Sequence, residues 1–296
     1  MMKNKNSDLI TMIENNMENF SKGQKLIANF IINHYDKASF MTAAKLGAEV
    51  GVSESTVVRF ANEIGFDGYP ALQKELNKLV KSKLTSIQRM EISSARIKDS
   101  NVLKSVLLSD MEKIKATLEE IDLESFDNVV ESILKAKKIY ILGVRSSAPL
   151  ASFLGFYFNL IFNNVRLVHT TSVSETFEQI IYASKGDVVI GISFPRYSMR
   201  TINAMKFAKK KGATVIAITD SNDSPLTENS HHTLTARSDM ASFVDSLVAP
   251  LSVINALILA IAMRKKEHVY SIFENLEKIW DEYGVYESKD KGQRYK

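Results

Sequence analysis

Hydroxyl and cationic side chains that can do chemistry gather in a few short stretches of this chain. In Gly143-Val144-Arg145-Ser146-Ser147 a glycine ends an apolar run and two serines open an apolar helical segment. Glycine there lets the chain turn sharply, and serine hydroxyls beside the N–H groups of a helix N-terminus can hold a phosphate. The same two serines can equally serve as helix caps. The stretch is no dinucleotide fingerprint, because the G-x-G-x-x-G spacing is absent. Ser193-Phe194-Pro195-Arg196-Tyr197-Ser198 follows another apolar run. Arginine grips phosphate or carboxylate with two parallel hydrogen bonds, so Arg145 and Arg196 in one crevice would suit a strongly anionic ligand. Paired with acidic neighbours such as Asp239 or Glu175, they would close the site instead. Proton transfer between adjacent carbons needs a base, for which Glu175, Asp239 and His169 are the candidates, and none of them stands in a motif that forces it into the crevice. His231 and His232 have no cysteine or carboxylate at metal-ligand spacing. Neither a metal nor a cofactor is expected.

A second set of polar residues lies in the segment MTAAKLGAEVGVSESTVVRFANEIGFDGYP, residues 41 to 70. Two helices cross closely only if a small residue sits where the second passes over the first, and Gly47 supplies it. Four residues later Gly51 provides the turn with a residue tolerant of positive φ. Leu46, Val50, Val52, Val57 and Phe60 fall where both helices face a core. Ser53 is placed to cap the second helix, and Gly65 to stop it after Ile64. That leaves Ser53, Glu54, Ser55, Thr56 and Arg59 toward solvent in its N-terminal half, where a recognition helix meets base edges and phosphates. An ordinary helical hairpin would expose the same residues; the joint match of small, apolar and turn positions favours a DNA reader.

The elements that must carry these residues follow from periodicity. The first third has helical signals alone, among them Lys25 to Tyr35 with Leu26, Ile27, Phe30 and Ile31 on one face. Residues 81–101 are polar without an apolar stripe and read as a linker. From Val102 to Ile121 an amphipathic helix (Leu103, Val106, Leu107, Met111, Ile114, Leu118) leads into a second domain. Apolar runs then alternate with helical segments at 138–143, 165–169, 187–193, 214–219 and 232–236. Continuous apolar strands separated by helices are what a parallel sheet covered on both faces requires. A ligand crevice in such a sheet lies beyond the carboxyl ends of its strands, where both serine-rich stretches fall.

Composition narrows the classes. The 296 residues, 45% of them apolar, suffice for two folded domains. The formal net charge is +4, and residues 1–90 hold 12 Lys plus Arg against 9 Asp plus Glu, which permits a polyanionic partner without implying one. With no cysteine, disulfide frameworks, thiolate zinc sites and cysteine nucleophiles are excluded. The polar start from Met1 to Asp8 lacks a signal-peptide core, so a cytoplasmic location is expected. Leu247 to Met263 is apolar but interrupted by Pro250, Ser252 and Asn255, which reads as a buried helix more readily than as a membrane span.

The string from Val52 to Tyr69, V-S-E-S-T-V-V-R-F-A-N-E-I-G-F-D-G-Y, resembles the signature of the RpiR/MurR family of transcription regulators, in which a helix-turn-helix domain precedes a sugar isomerase (SIS) domain. The resemblance implies an operator-binding dimer or tetramer whose affinity changes when a phosphosugar binds. It carries ligand contact onto Ser146 and Ser147. Ser193 and Ser198 match the first and last hydroxyls of the family's Ser-x-Ser-Gly-x-Thr loop. Pro195 and Arg196 depart from that loop, Arg145 stands where many relatives have a small residue, and the two arginines point to a sugar acid phosphate if they touch ligand. Thr219-Asp220-Ser221 and Ser224-Pro225-Leu226 also match the family, with a structural role expected.

The expected fold class is therefore multidomain, an all-α helix-turn-helix domain followed by a doubly wound α/β (SIS-type) domain with a roughly five-stranded parallel sheet. The expected boundaries are 1–80 for the first, 81–101 for the linker, 102–285 for the effector domain and 286–296 for a polar tail. The expected function is a DNA-binding regulator, not an enzyme, whose partners are duplex DNA, a phosphorylated sugar or sugar acid, and further copies of itself, with no membrane. The alternative is a phosphosugar isomerase with a helical extension. Helix 247–263 is the expected part of a self-association interface.

Overall fold

The structure, a computed structural model, describes residues 9–83, 87–88, 90, 101–170, 172–238 and 244–286. Most of the expected linker and nearly all of the C-terminal tail lie outside the described residues. Contacts divide the chain into two units, Met1–Arg96 and Ile97–Lys296.

The first unit holds α1 (Leu9–Asn15), α2 (Lys22–Ala38), α3 (Ala43–Val50), α4 (Glu54–Glu63) and α5 (Gly68–Lys83). Hydroxyl caps fix where three of them begin. Ser21 and Gln24 form a reciprocal capping box on α2, Thr42 Oγ1 accepts from Lys45 N at 3.2 Å, and Ser53 Oγ accepts from Thr56 N at 3.3 Å. Between α3 and α4, Gly51 takes φ +74°, and a Cβ on Gly47 would stand 2.7 Å from Val52 O. The tight crossing read from sequence thus requires both glycines, one for its dihedral and the other for its missing side chain. Leu46, Val57 and Phe60 are fully buried with Ile13, Ile27, Ile31, Leu72 and Leu76, while Val50 and Val52 are half-buried. On α2 the buried stripe is Gln24, Ile27, Ala28 and Ile31, which follows the helical repeat. Leu26 falls off its edge and is 46% exposed, contrary to the sequence reading.

In the second unit α6 (Val102–Glu120) and α7 (Leu123–Leu134) precede β1 (Ile139–Gly143), α8 (Ala148–Ile161), β2 (Val165–Val168), α9 (Val173–Ile180), β3 (Val188–Ile192), α10 (Met199–Lys210), β4 (Thr214–Thr219), β5 (His232–Thr235), α11 (Val248–Arg264) and α12 (Lys266–Tyr283). The five strands are parallel in the order β2-β1-β3-β4-β5. Alternation along the strands builds two cores. Ile139, Ile141, Ile190, Ile216 and Leu234 meet α7, α8 and α11, whereas Tyr140, Leu142, Val189, Val215 and Ala217 meet α9 and α10.

Helix α6 departs from expectation. Its apolar stripe is turned outward, with Leu103 72%, Met111 64% and Leu118 76% exposed, and its two buried side chains are Lys113 and Thr117. Polar bonds described below seat the helix the other way round. Helix α11 buries Ala249, Pro250, Val253, Ile254, Leu257 and Ile261 inside its own unit and leaves a second face, with Val248, Leu259 and Met263, exposed along its length. Among the described residues no single helix is long and apolar enough to cross a membrane; α11 and α12 pass that test only as a pair, bent by 99°.

Because a Cβ at residue 47 would press on a backbone oxygen rather than a movable side chain, Gly47→Ala should destabilise the first unit by about 1 to 3 kcal/mol. Urea unfolding checks this, and a change within about 0.5 kcal/mol, the range of a neutral surface substitution, would contradict it.

Candidate functional site

On α4 the side chains of Ser53, Glu54, Ser55 and Arg59 are exposed. Ser53 Oγ lies 2.9 Å from Ser55 Oγ and 2.8 Å from Thr56 Oγ1, a hydroxyl cluster at the helix N-terminus. Arg59 Nε donates to Ser55 O one turn back at 3.3 Å. Thr56 departs from the solvent-facing reading: it is half-buried, and its methyl lies 3.5 Å from where a Cβ on Gly23 would stand. That contact sets the N-terminal turn of α2 beside the N-terminal turn of α4. Lys22 and Lys25, both exposed, therefore flank the same end. Sequence reasoning passed over these two lysines, although the Ser21-x-x-Gln24 capping box marks the helix start that carries them.

In the second unit the strand order changes direction between β1 and β3, which is the switch point where a crevice opens beyond the carboxyl ends of the strands. Gly143 pairs with Ile192 in the sheet, so the loops after β1 and β3 leave side by side. After β1 the chain folds into a 3-10 turn, Arg145–Ser147. A Cβ on Gly143 would meet Ser147 O at 2.7 Å, so this glycine serves close approach, and the sharp turn expected of it falls instead to Arg145 at φ +57°. Neither serine caps α8. Ser147, buried at its N-terminus, makes no side-chain capping bond, and Ser146 Oγ donates to Asp245 Oδ2 at 3.3 Å.

The loop after β3 is closed by its two serines. Ser193 Oγ accepts from Ser198 N at 3.0 Å, and Ser198 Oγ caps α10 by accepting from Thr201 N at 3.4 Å. Between them the exposed Arg196 sits at φ +68°. Among the described residues Arg145 and Arg196 are the two non-glycine residues with positive φ. Holding an L-residue there costs roughly 1 to 2 kcal/mol, and such strain gathers at functional sites.

A Tyr197 contact that sequence reasoning missed locks this loop to the end of β4, where a structural role was expected. Tyr197 Oη donates to the buried Asp220 Oδ1 at 2.8 Å, Thr219 Oγ1 donates to the same oxygen at 3.3 Å, and Thr219 Oγ1 also bonds Ser224 Oγ at 2.8 Å. Burial, with the Asp220 carboxylate alongside, drives the Tyr197 phenol far above the ordinary phenol range, so it stays a neutral donor. The Thr219-Asp220 and Ser224-Pro225 pairs were the available signal. Ser221 takes no side-chain part in the network.

Of the acid/base candidates, Glu175 and His169 both lie around the loop after β2. Glu175 lies exposed in the first turn of α9, where its carboxylate takes the Thr170 hydroxyl, and the carbonyl of Thr170 accepts from Arg200 Nη1 at 2.9 Å. His169 is exposed after β2, and Asp239 lies outside the described residues. His231 Nδ1 accepts from Val215 N at 2.9 Å; burial first, then Lys209, lowers its pKa and keeps the ring neutral in that role. Among the described residues no three His, Asp or Glu side chains gather as a metal cluster.

Residues 7–83 match the model of the helix-turn-helix domain of the rpiR family, and residues 132–260 match that of the SIS domain. The chain belongs to the rpiR family of transcription regulators. It is 29% identical to an uncharacterized HTH-type transcriptional regulator of Haemophilus influenzae, over 78% of this chain and 80% of that one. A similar regulator from Clostridium perfringens is 26% identical over 77% of this chain and 81% of its own length. Among solved structures, the Vibrio vulnificus NanR protein complexed with ManNAc-6P superimposes with a TM-score of 0.58 at 22% identity, covering 92% of this chain and 97% of its own. The sugar isomerase domain of an RpiR transcription factor from Sphaerobacter thermophilus gives a TM-score of 0.57 at 25% identity, covering 60% of this rpiR-family chain and 99% of its own. The five-stranded parallel sheet flanked by helices is the SIS domain.

Removing the Tyr197 hydroxyl leaves a buried carboxylate short of a donor. Tyr197→Phe should therefore destabilise the second unit by about 1 to 3 kcal/mol. Thermal unfolding of the purified variant checks it, and an unchanged midpoint would contradict the proposed lock.

Proposed function

We propose that this regulator binds operator DNA through α4 and that a phosphorylated sugar or sugar acid, held at the β1/β3 switch point, sets its operator affinity. The observation that carries the reading is the pair of left-handed arginines. Each stands in one of the two adjacent loops at the switch point and is exposed there, in a conformation that an L-residue keeps only where the surroundings demand it. With Ser146, Ser147, Ser193 and Ser198 they offer an anion two guanidinium forks and several hydroxyls. Two cationic forks favour a ligand with more negative charge than a neutral sugar phosphate carries, such as a sugar acid phosphate. The complex of the NanR neighbour with ManNAc-6P supports the phosphosugar class.

On DNA, Arg59 and the Ser53, Glu54, Ser55 and Thr56 surface read the major groove, while Lys22 and Lys25 at the adjoining helix end hold phosphate. One such motif reads few base pairs, so the protein works in the cytoplasm as a dimer or tetramer on a pseudo-palindromic site. The outward stripe of α6 and the exposed Leu259 and Met263 of α11 supply apolar area for that association. Turnover is not part of the proposal: the Glu175 carboxylate is engaged by the Thr170 hydroxyl. Interconversion of aldose and ketose phosphates that disappears in Glu175→Gln would favour the isomerase reading instead.

The experiment is a mobility shift on the upstream region of its own gene, run with and without a panel of sugar phosphates and sugar acid phosphates. Arg59→Ala should weaken operator binding by about 1 to 3 kcal/mol while leaving ligand heat intact. Arg196→Lys should retain operator binding and lose part of the effector response, because the planar fork is gone, and Arg196→Ala should lose more. Full operator affinity in Arg59→Ala, or a normal effector response in Arg196→Ala, would contradict the assignment.

A further inference from the structure

Helix α6 is seated on its polar side. Its large apolar side chains point away, and polar bonds to Arg237 and Ser246 hold its inner face. Ser246 Oγ donates to Asp110 Oδ1 at 2.6 Å. The buried Lys113 Nζ lies 3.8 Å from the same oxygen and donates to Ser109 Oγ at 2.6 Å. Farther along, Arg237 N donates to Thr117 Oγ1 at 2.9 Å, and Arg237 pairs with Glu120. Ser238 Oγ donates to Ser246 O at 3.0 Å, which ties the neighbour of Arg237 to the other anchoring residue. Residue 245, next to Ser246, is the aspartate that accepts the Ser146 hydroxyl of the crevice loop at 3.3 Å.

Resting on the effector crevice assigned above, we propose that Asp245 and Ser246 form a two-residue relay that reports the occupancy of the crevice to α6. An anion arriving at the β1 loop competes for the Ser146 hydroxyl and repels the Asp245 carboxylate, since like charges brought close together repel. Ser246 is the next residue and cannot stay put when Asp245 moves, so its bond to Asp110 is strained or broken. A helix anchored by apolar burial would absorb that loss. Helix α6 depends on polar bonds, so losing one changes its position or its fraying. In the chain, α6 is the first helix after the residues that lead from the DNA-reading unit, which makes it the element of the effector unit covalently nearest the operator-binding helices.

The test uses the full chain, inorganic phosphate as the crevice probe, calorimetry for binding, and hydrogen exchange on peptides covering 102–120. Phosphate should alter α6 exchange in the wild type by roughly 2- to 12-fold, the range expected for one hydrogen bond. Ser246→Ala should still bind phosphate yet show α6 exchange that no longer responds, and Ser246→Thr, which keeps the hydroxyl, should restore the response. Wild-type phosphate binding with unaltered α6 exchange overturns the relay and leaves the effector reading standing. A response that survives in Ser246→Ala also overturns the relay alone. No phosphate binding by the wild type overturns both. The wild-type comparison decides the matter even if Ser246→Ala fails to fold.

Discussion

The SIS domain depends on the parallel pairing of β1 with β3. Register places Gly143 against Ile192, so the two strands end level and their loops emerge together at the point where the sheet order reverses. Parallel strands need crossover helices, and each crossover here starts at the carboxyl edge of the sheet. Helix α8 therefore begins just behind Arg145, Ser146 and Ser147, and α10 just behind Arg196 and Ser198. Close approach at Gly143 and the Ser193-Ser198 bond then tighten each loop, and the Tyr197-Asp220 bond fixes the second loop to β4. The left-handed arginines are stable because these contacts determine the backbone around them.

The DNA-reading unit obeys a comparable constraint on a smaller scale. Val52 O lies so near Gly47 that no side chain fits between α3 and α4, and this contact sets the angle at which α4 is presented. Phe60 and Val57 hold that angle from the core side, while the hydroxyl cluster of Ser53, Ser55 and Thr56 organises the exposed end. Neither unit has an unusual core; what distinguishes them is polar side chains held at the N-terminal ends of helices.

The central strands β1, β3 and β4 were legible because burial on both faces leaves nearly uninterrupted apolar runs. The run at 214–219 coincides with β4, and the other four overrun their strands by one or two residues. The helix-turn-helix was legible because Gly47, Gly51 and Ser53 each answer a separate local demand at a fixed spacing. Helix α6 was not. Periodicity reports that a helix has two faces but not which one meets its own domain, and here Thr117 and Asp110 bond to Arg237 and Ser246 more than a hundred residues away. The Tyr197-Asp220 bond escaped for the same reason, since it joins two loops that only the sheet order brings together. Residue type also hides the positive φ of Arg145 and Arg196, because arginine has no preference for that region.

Coupling between the effector crevice and the operator-binding helix is the core of the functional reading, and thermodynamic linkage offers its most direct test. The effector that responds in the mobility shift is titrated calorimetrically into the free protein and into the protein saturated with operator DNA, and operator affinity is measured with and without saturating effector. The two affinity ratios should agree and differ from one by about 5- to 150-fold. Equal effector affinity for the free and operator-bound protein would contradict the account, however tightly each ligand binds.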